Sequence, residues 1–170
     1  MVLIREEGLL DPPAIRVLYR TIFGRENESE LVDRLRADGL HLASLVAVDG
    51  AEVIGHALFS ELRIDTQSGP MKGVALAPMG VLAARQKSGI GGELIKEGFQ
   101  ICREKGRAAV LVLGDPEYYS RFGFHSDLAK RLKSPYSDAG RHWMAAELVP
   151  GALRDVFGLV PYPEAFEVLS

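Results

Sequence analysis

Three closely spaced glycines mark the stretch of this chain that is best suited to binding chemistry. Gly89, Gly91 and Gly92 follow a polar loop and stand at the start of a helical pattern. Glycine lets the backbone approach a ligand closely, and the first N–H groups of a helix have no partner inside the helix. Together these features favour an anion site, most naturally for a phosphate or pyrophosphate. The alternative is that the glycines only permit tight packing of the helix against a strand.

Two strands and one helix must position this loop. Before it, the run 74–81 predicts a buried strand, in which Pro78 and Gly80 favour a bulge or a splayed strand end. After it, apolar residues at helical spacing predict one long helix, which Gly106 caps. The inward face of that helix comprises Ile90, Leu94, Ile95, Gly98, Ile101 and Cys102. The apolar run 108–113 predicts a second strand, so the unit is a parallel crossover.

Two common phosphate loops do not fit this sequence. The P-loop requires a lysine and then a serine or threonine after its last glycine, whereas Gly91 is followed by Gly92 and Glu93. The dinucleotide fingerprint requires a third glycine where this chain has Leu94. Both loops are therefore excluded.

A different phosphate-loop pattern does fit. Gln86, Gly89 and Gly91 follow the proline-interrupted strand at the spacing Gln-x-x-Gly-x-Gly. After the second strand, Tyr119 stands four residues before Gly123, which Phe124 follows. In this order and spacing the two motifs resemble those of the GNAT superfamily of N-acetyltransferases, and the resemblance covers most of the chain up to the second motif.

The resemblance implies acetyl-CoA as cosubstrate and gives roles to particular residues. It assigns the pyrophosphate to Gln86, Lys87, Ser88, Gly89, Ile90, Gly91 and Gly92. It places the pantetheine arm in a gap between the strands at 74–81 and 108–113, where backbone N–H groups of Met79, Gly80 and Val81 would face the thioester carbonyl. Tyr119 would be the general acid that protonates the departing thiolate, and packing in the core is its alternative role.

The general base is less well defined. Glu61 is the candidate that we name, and Asp115 and His56 are the other titratable groups expected near the cleft. Members of the superfamily often carry an asparagine after the second strand, whereas this chain has Gly114 followed by Asp115. The histidines show no metal-ligand spacing, so we predict no metal.

The fold class that the resemblance implies is mixed α/β, with a GNAT-like, partly splayed central mixed sheet flanked by helices. We expect a single acetyltransferase domain over 1–170, whose motifs lie within about 1–125 and whose C-terminal strand and tail occupy 126–170. The ending also resembles a bacterial GNAT branch of predicted N-acetyltransferases. Asp49–Gly50 predicts a hairpin between strands at 41–48 and 53–64.

Several local features lie outside the two motifs. Asp11 predicts an N-cap for a helix that begins with two prolines, and a second helix over 28–38 ends at Gly39. The resemblance makes Asn27 and Glu28 candidates for the acceptor site, and a solvated loop is the simpler interpretation. The segment 130–133 predicts a short basic helix. The apolar tail, 159–166, could cover the core or form the interface of a homodimer.

Composition narrows the function class. The chain has 170 residues, of which 47% are hydrophobic and 25% charged, and its net charge is −3. This balance is typical of a soluble globular protein and gives no indication of a nucleic-acid or membrane partner. No apolar run approaches transmembrane length, the start lacks a signal-peptide pattern, and Cys102 is the only cysteine. We therefore predict a cytoplasmic protein.

The function that we predict is acetyl-CoA-dependent N-acetyl transfer to a primary amine of a small molecule or peptide, by direct attack of the amine on the thioester. Two other classes remain open. One is a module that binds acyl-CoA as a ligand or sensor without turnover. The other is a nucleotide-binding protein that uses the same glycine loop for a different phosphate.

Overall fold

The computed structural model describes residues 1–170 and confirms the mixed α/β class. One mixed sheet has eight strands, with the hydrogen-bonded order β1-β2-β3-β4-β5-β7 and with β8 joining β6 to β3. The strands are β1 (Val2–Glu6), β2 (His41–Asp49), β3 (Glu52–Thr66), β4 (Gly69–Val81), β5 (Ala109–Leu113), β6 (Leu132–Lys133), β7 (Trp143–Glu147) and β8 (Gly158–Leu159). The helices are α1 (Pro12–Phe23), α2 (Asn27–Ala37), α3 (Ile90–Glu104), α4 (Pro116–Tyr119) and α5 (Ser126–Ala129). None of the helices is long and apolar enough to cross a bilayer.

The residues form two compact units, each assembled from separate stretches of the chain. The first unit comprises Met1–Ser60, Ala77–Gln100 and Glu164–Ser170. The second unit comprises Glu61–Leu76 and Ile101–Pro163. The glycine loop belongs to the first unit, and the tyrosine motif belongs to the second.

The first unit contains an antiparallel meander with helices beside it. Strand β1 pairs with β2, and β2 pairs with β3 across the hairpin at Gly50, whose φ of 63° explains the glycine. Helix α2 ends at the predicted position, because Leu40 N–H donates to Leu35 O and Gly39 N–H donates to Arg36 O. The predicted hairpin and this helix end are confirmed.

One predicted helix cap is wrong in its detail. Helix α1 begins at Pro12, as expected, but the Asp11 side chain makes no capping bond to it. The carboxylate instead accepts from Arg5 at 2.6 and 3.1 Å and from the Gly8 N–H at 2.6 Å. Since a cation is a stronger partner for a carboxylate than a neutral N–H, the ion pair takes the side chain.

Helix α3 carries the predicted apolar face. Five of the six predicted inward residues are buried, and Ile101 is half-buried. A Cβ at Gly98 would stand only 2.1 Å from Cε1 of Phe59, so a glycine is needed for the helix to approach β3 this closely. At the other end, in the second unit, Arg107 N–H donates to Cys102 O and Gly106 N–H donates to Arg103 O, which closes the helix as predicted.

The second unit contains the parallel part of the sheet. The ladder between β4 and β5 joins Gly73–Ala75 to Ala109–Leu111, although β4 continues to Val81. Strand β5 pairs with β7 along its full length, as far as Leu113 with Trp143. The predicted helix over 130–133 is wrong, because two of these residues form strand β6, which pairs in parallel with β8. The two-residue ladder uses backbone groups that charge patterning cannot reveal.

The C-terminal segment packs within the chain. Val160 in the second unit and Ala165 and Phe166 in the first are each at most 3% exposed. Leu159 is 60% exposed. Three residues of the tail therefore contribute to the core, and the homodimer remains a prediction.

Candidate functional site

The glycine loop has the backbone geometry of an anion-binding turn. Lys87 and Gly89 both have positive φ angles, 65° and 85°, and helix α3 starts at the next residue, Ile90. The first helical hydrogen bond that closes this turn is donated by Glu93 to Gly89 O. The N–H groups of the first turn therefore point out of the helix start, where an anion is favoured by both hydrogen bonding and the helix dipole.

Side chains of the loop tie it to the neighbouring strand. The Gln86 amide donates to Val81 O at 3.0 Å, and Ser88 Oγ donates to Arg85 O at 2.5 Å. Gln86 thus joins the glycine loop to the end of β4. Arg85 itself pairs with Asp49 at 2.9 Å, and this guanidinium holds the pKa of the Asp49 carboxyl below its usual range. Lys87 is the exposed cation left at the loop.

The end of β4 is closely packed around one glycine. A Cβ at Gly80 would lie 2.8 Å from Ile22 Cδ1 and 3.4 Å from Tyr19 Cε1, both on helix α1. From the other side, a Cβ at Gly55 of β3 would lie 3.4 Å from Gly80 O. The Ala77–Pro78 peptide just before this point is cis. Gly80 therefore lies between a helix and a strand, and both Gly80 and Met79 are half-buried.

Tyr119 ends a short helix that begins at Pro116. Asp115 caps this helix by accepting from Glu117 N–H at 3.1 Å. The Tyr119 ring lies edge-on to Phe124 at 5.6 Å and packs on Gly114, where a Cβ would stand 2.5 Å from its Cε2. Its hydroxyl makes no hydrogen bond within the protein. The ring is thus fixed while the hydroxyl is available to a ligand.

Burial also affects the protonation of this phenol. Desolvation, and to a lesser extent Tyr118 and Asp115, raise the pKa of Tyr119 well above its usual value of about 10. The hydroxyl therefore carries its proton at neutral pH, as a proton donor must.

Glu61 is engaged in an ion pair in the second unit. Arg107 Nη2 donates to Glu61 Oε1 at 2.7 Å, and the Arg107 side chain is mostly buried whereas that of Glu61 is 42% exposed. The Arg107 Nε is buried without a partner. The pair gives Glu61 a structural contact, and its assignment as the base stays a prediction.

The two acceptor-site candidates from the α1–α2 join also have structural partners. Asn27 Nδ2 donates to Val168 O at 2.7 Å, and the buried Glu28 carboxylate accepts from Arg25 at 3.0 and 2.5 Å. The interpretation as a solvated loop is wrong for both side chains.

His56, one of the titratable groups expected near the cleft, lies inside the first unit. It is fully buried, and both ring nitrogens have partners at 2.7 Å, Tyr19 on one side and Ser44 on the other. Burial, with a smaller effect of Arg36, lowers the pKa of His56 to about 3. The imidazole is therefore neutral at neutral pH. An apolar strand position occupied by histidine was the one signal available in the sequence.

A shallow cavity of about 250 Å³ lies in the second unit. Its lining includes three cationic side chains, those of Lys130, Lys133 and Arg141, together with Asp127. Trp143, which also lines the cavity, pairs with Leu113 at the end of β5 just before the tyrosine motif. No group of three or more His, Cys, Asp or Glu side chains is arranged to hold a metal ion.

Comparison with known proteins places this geometry in a family. Residues 11–126 match the family model described as an acetyltransferase (GNAT) domain. The uncharacterized N-acetyltransferase YhbS of Escherichia coli K12 is 37% identical over 166 residues, which are 97% of this chain and 98% of that protein. YjhQ of the same strain, also an uncharacterized N-acetyltransferase, is 32% identical over 144 residues, 81% of this chain and 80% of that protein.

Solved structures agree with this assignment. The crystal structure of E. coli YhbS in complex with CoA matches with a TM-score of 0.88 at 37% identity, covering 98% of this chain and 92% of that one. A GNAT family acetyltransferase from Brucella melitensis in complex with acetyl-CoA matches with a TM-score of 0.80 at 33% identity, covering 98% of both chains. Since both the family model and full-length relatives agree, this chain belongs to the GNAT family of N-acetyltransferases.

Proposed function

We propose that the protein transfers the acetyl group of acetyl-CoA to a primary amine of a small molecule or peptide, by direct attack of the amine on the thioester. The glycine loop at the start of α3 carries this proposal, because its outward N–H groups suit a pyrophosphate. The relative from E. coli, 37% identical, was crystallised with CoA, and the relative from B. melitensis with acetyl-CoA.

In the proposed reaction the chain binds the pyrophosphate and the thioester of the cosubstrate. The segment Gln86–Gly92 holds the pyrophosphate, with Lys87 adding a positive charge near it. Backbone N–H groups of Met79, Gly80 and Val81 stabilise the thioester oxygen as negative charge develops on it. Donors of this kind are effective because they are aimed before the reaction begins and need no reorganisation during it.

The proposed reaction also requires two proton transfers. The neutral amine attacks the carbonyl carbon, the C–S bond breaks, and the nitrogen loses one proton while the sulfur gains one. Tyr119 donates its phenolic proton to the sulfur and recovers a proton from solvent. Glu61 is the candidate acceptor of the proton from the amine, directly or through water. Because burial raises the pKa of Tyr119, the phenol is reliably protonated but is also a weaker acid than an exposed tyrosine.

Cosubstrate binding is tested by calorimetry with CoA. Gly91→Glu places a carboxylate at the helix start and should abolish CoA binding, through steric exclusion and charge repulsion. Ala139→Glu adds the same charge at an exposed position in the second unit and serves as the control. Unchanged CoA affinity in folded Gly91→Glu would contradict the loop assignment. Competition by ATP at equal affinity would favour a nucleotide-binding protein instead.

Turnover is tested by thiol release from acetyl-CoA with a panel of amines. The panel should include amines that carry a carboxylate, because the cationic cavity lies at the same end of β5 as the tyrosine motif. Amine-dependent thiol release is expected for at least one member. Tight acetyl-CoA binding without release for any amine would favour the non-catalytic acyl-CoA module.

A further inference from the structure

A buried chain of hydrogen bonds runs through the first unit from helix α1 to the protein surface. The Tyr19 hydroxyl lies 2.7 Å from His56 Nδ1, and His56 Nε2 lies 2.7 Å from Ser44 Oγ. Ser44 Oγ lies 2.6 Å from Glu7 Oε1, and Arg36 donates to both oxygens of that carboxylate at 2.8 and 3.1 Å. Tyr19 and His56 are fully buried, whereas the Glu7 side chain is 13% exposed.

The ionised Glu7 carboxylate fixes the direction of the hydrogen bonds between these side chains. The Glu7 carboxylate, paired with Arg36, can only accept, so Ser44 must donate to it. The Ser44 oxygen then accepts from His56 Nε2–H, which leaves His56 Nδ1 as an acceptor. Tyr19 donates to that nitrogen. This arrangement of protons satisfies all four side chains, and the Tyr19 hydroxyl also lies 3.3 Å from His56 O.

The inner end of the network touches the strand segment proposed for the thioester. The edge of the Tyr19 ring packs on Gly80, next to Ile22, and Gly55 supports Gly80 from the opposite side. Gly55 directly precedes His56 in β3, so the strand that anchors the tyrosine hydroxyl also contacts the Gly80 carbonyl. The position of the Gly80 peptide therefore depends on its contacts with helix α1 and with strand β3.

We propose that Tyr19 and His56 are positioning residues for acetyl transfer. By holding the Tyr19 ring against Gly80, the network fixes the backbone N–H groups that receive the thioester carbonyl. This inference rests on the proposed function, and neither side chain touches the reacting atoms. Its consequence is specific, because Gly80 would face the acetyl group, whereas the N–H groups that would hold the pyrophosphate belong to the start of helix α3.

The experiment compares the affinities of acetyl-CoA and CoA by calorimetry. One well-formed hydrogen bond to the carbonyl should give the wild-type protein about a threefold to tenfold preference for acetyl-CoA. Tyr19→Phe keeps the ring but loses its anchor, and its preference should fall to about one with CoA affinity within about twofold of wild type. Ser44→Ala, which frees His56 from Glu7, should lower the preference less. Tyr136→Phe, which removes a tyrosine hydroxyl in the second unit, is the matched control.

The possible outcomes separate this inference from its premise. A wild-type preference that persists in folded Tyr19→Phe and Ser44→Ala, even with lowered melting temperatures, would mean a purely structural network and would overturn the inference. Equal affinities in the wild-type protein would overturn it as well. Failure of the wild-type protein to bind either compound would overturn the proposed function itself. If Tyr19→Phe does not fold, Ser44→Ala carries the same test.

Discussion

Two tyrosines of this protein have opposite surroundings. Tyr19 in the first unit is fully buried, and its hydroxyl is held by the ring and carbonyl of His56. Tyr119 in the second unit is partly buried, and its hydroxyl has no hydrogen bond within the protein. Both rings pack on a glycine, Gly80 and Gly114 respectively. The hydrogen bonds of the Tyr19 hydroxyl orient its ring, whereas the Tyr119 hydroxyl is left available to a ligand.

The largest effect is expected when the unpaired hydroxyl is removed. Tyr119→Phe keeps the ring contacts and should lower turnover about a hundredfold to ten-thousandfold, as is typical for loss of a general acid, with little change in acetyl-CoA affinity. The measurement is steady-state thiol release with an amine identified in the screen. Tyr118→Phe, at the half-buried neighbour, is the control and should be mild. Nearly full turnover in Tyr119→Phe, under conditions where chemistry limits the rate, would end the assignment.

The glycine under Tyr119 gives the next largest effect. The backbone at Gly114 suits any residue, but a Cβ there would stand 2.5 Å from the Tyr119 ring and force it to move. Gly114→Ala should therefore cost about 1–3 kcal/mol of unfolding free energy, measured by urea denaturation. Gly8→Ala, whose Cβ meets its nearest atom at 3.5 Å, should stay within about 0.5 kcal/mol of wild type. Equal stability of the two variants would show that the Tyr119 ring is not held tightly.

Lowering the pH should destabilise the protein through His56, the hydrogen-bond partner of Tyr19. The folded protein keeps His56 neutral, with a pKa of about 3 against about 6.5 when unfolded, because of burial and Arg36, with Asp11 opposing. Protonation therefore favours the unfolded chain, and stability should fall as the pH drops from 6.5 towards 3. Between pH 7 and pH 5 the loss from this group is about 2 kcal/mol.

The control for the acid effect is His56→Gln, which removes the titrating ring. Urea denaturation at pH 7 and pH 5 should show a smaller loss of unfolding free energy in this variant than in the wild-type protein. Identical losses would mean that His56 titrates in the folded protein as it does in the unfolded chain. The Tyr119 side should contribute nothing in this range, since burial raises the pKa of its phenol.

The smallest effect is expected at the outer end of the network. Arg36 Nη1 donates to Asp33 at 3.1 Å, Arg16 donates to the same carboxylate at 2.8 Å, and the Asp33 side chain is 42% exposed. Exposed pairs of this kind contribute about 0–1 kcal/mol each, so Asp33→Asn should change the unfolding free energy by about 1 kcal/mol or less. The acetyl-CoA preference should not change. A large loss of unfolding free energy in Asp33→Asn would mean that this exposed side chain belongs energetically to the buried network.

The features predicted correctly from the sequence are those with local causes. The glycine turn before α3, the apolar face of α3 and the helix ends at Gly39 and Gly106 each depend on residues within a few positions of one another. The same is true of the hairpin at Gly50. The wrong predictions concern choices between partners, as when Asp11 binds Arg5 in place of the helix N-terminus.

The sequence alone thus determined the α/β class and the glycine turn at the start of α3, since periodicity, glycine spacing and capping act over short distances. Only the tertiary structure decided that His56 is buried and neutral and that Tyr19 reaches it. Tyr19 lies on α1, Ser44 on β2 and Glu7 just after β1, and these side chains join His56 of β3 in one network only in the folded chain. Because hydrogen-bond partners and burial are set by that packing, no local pattern in the sequence could specify them.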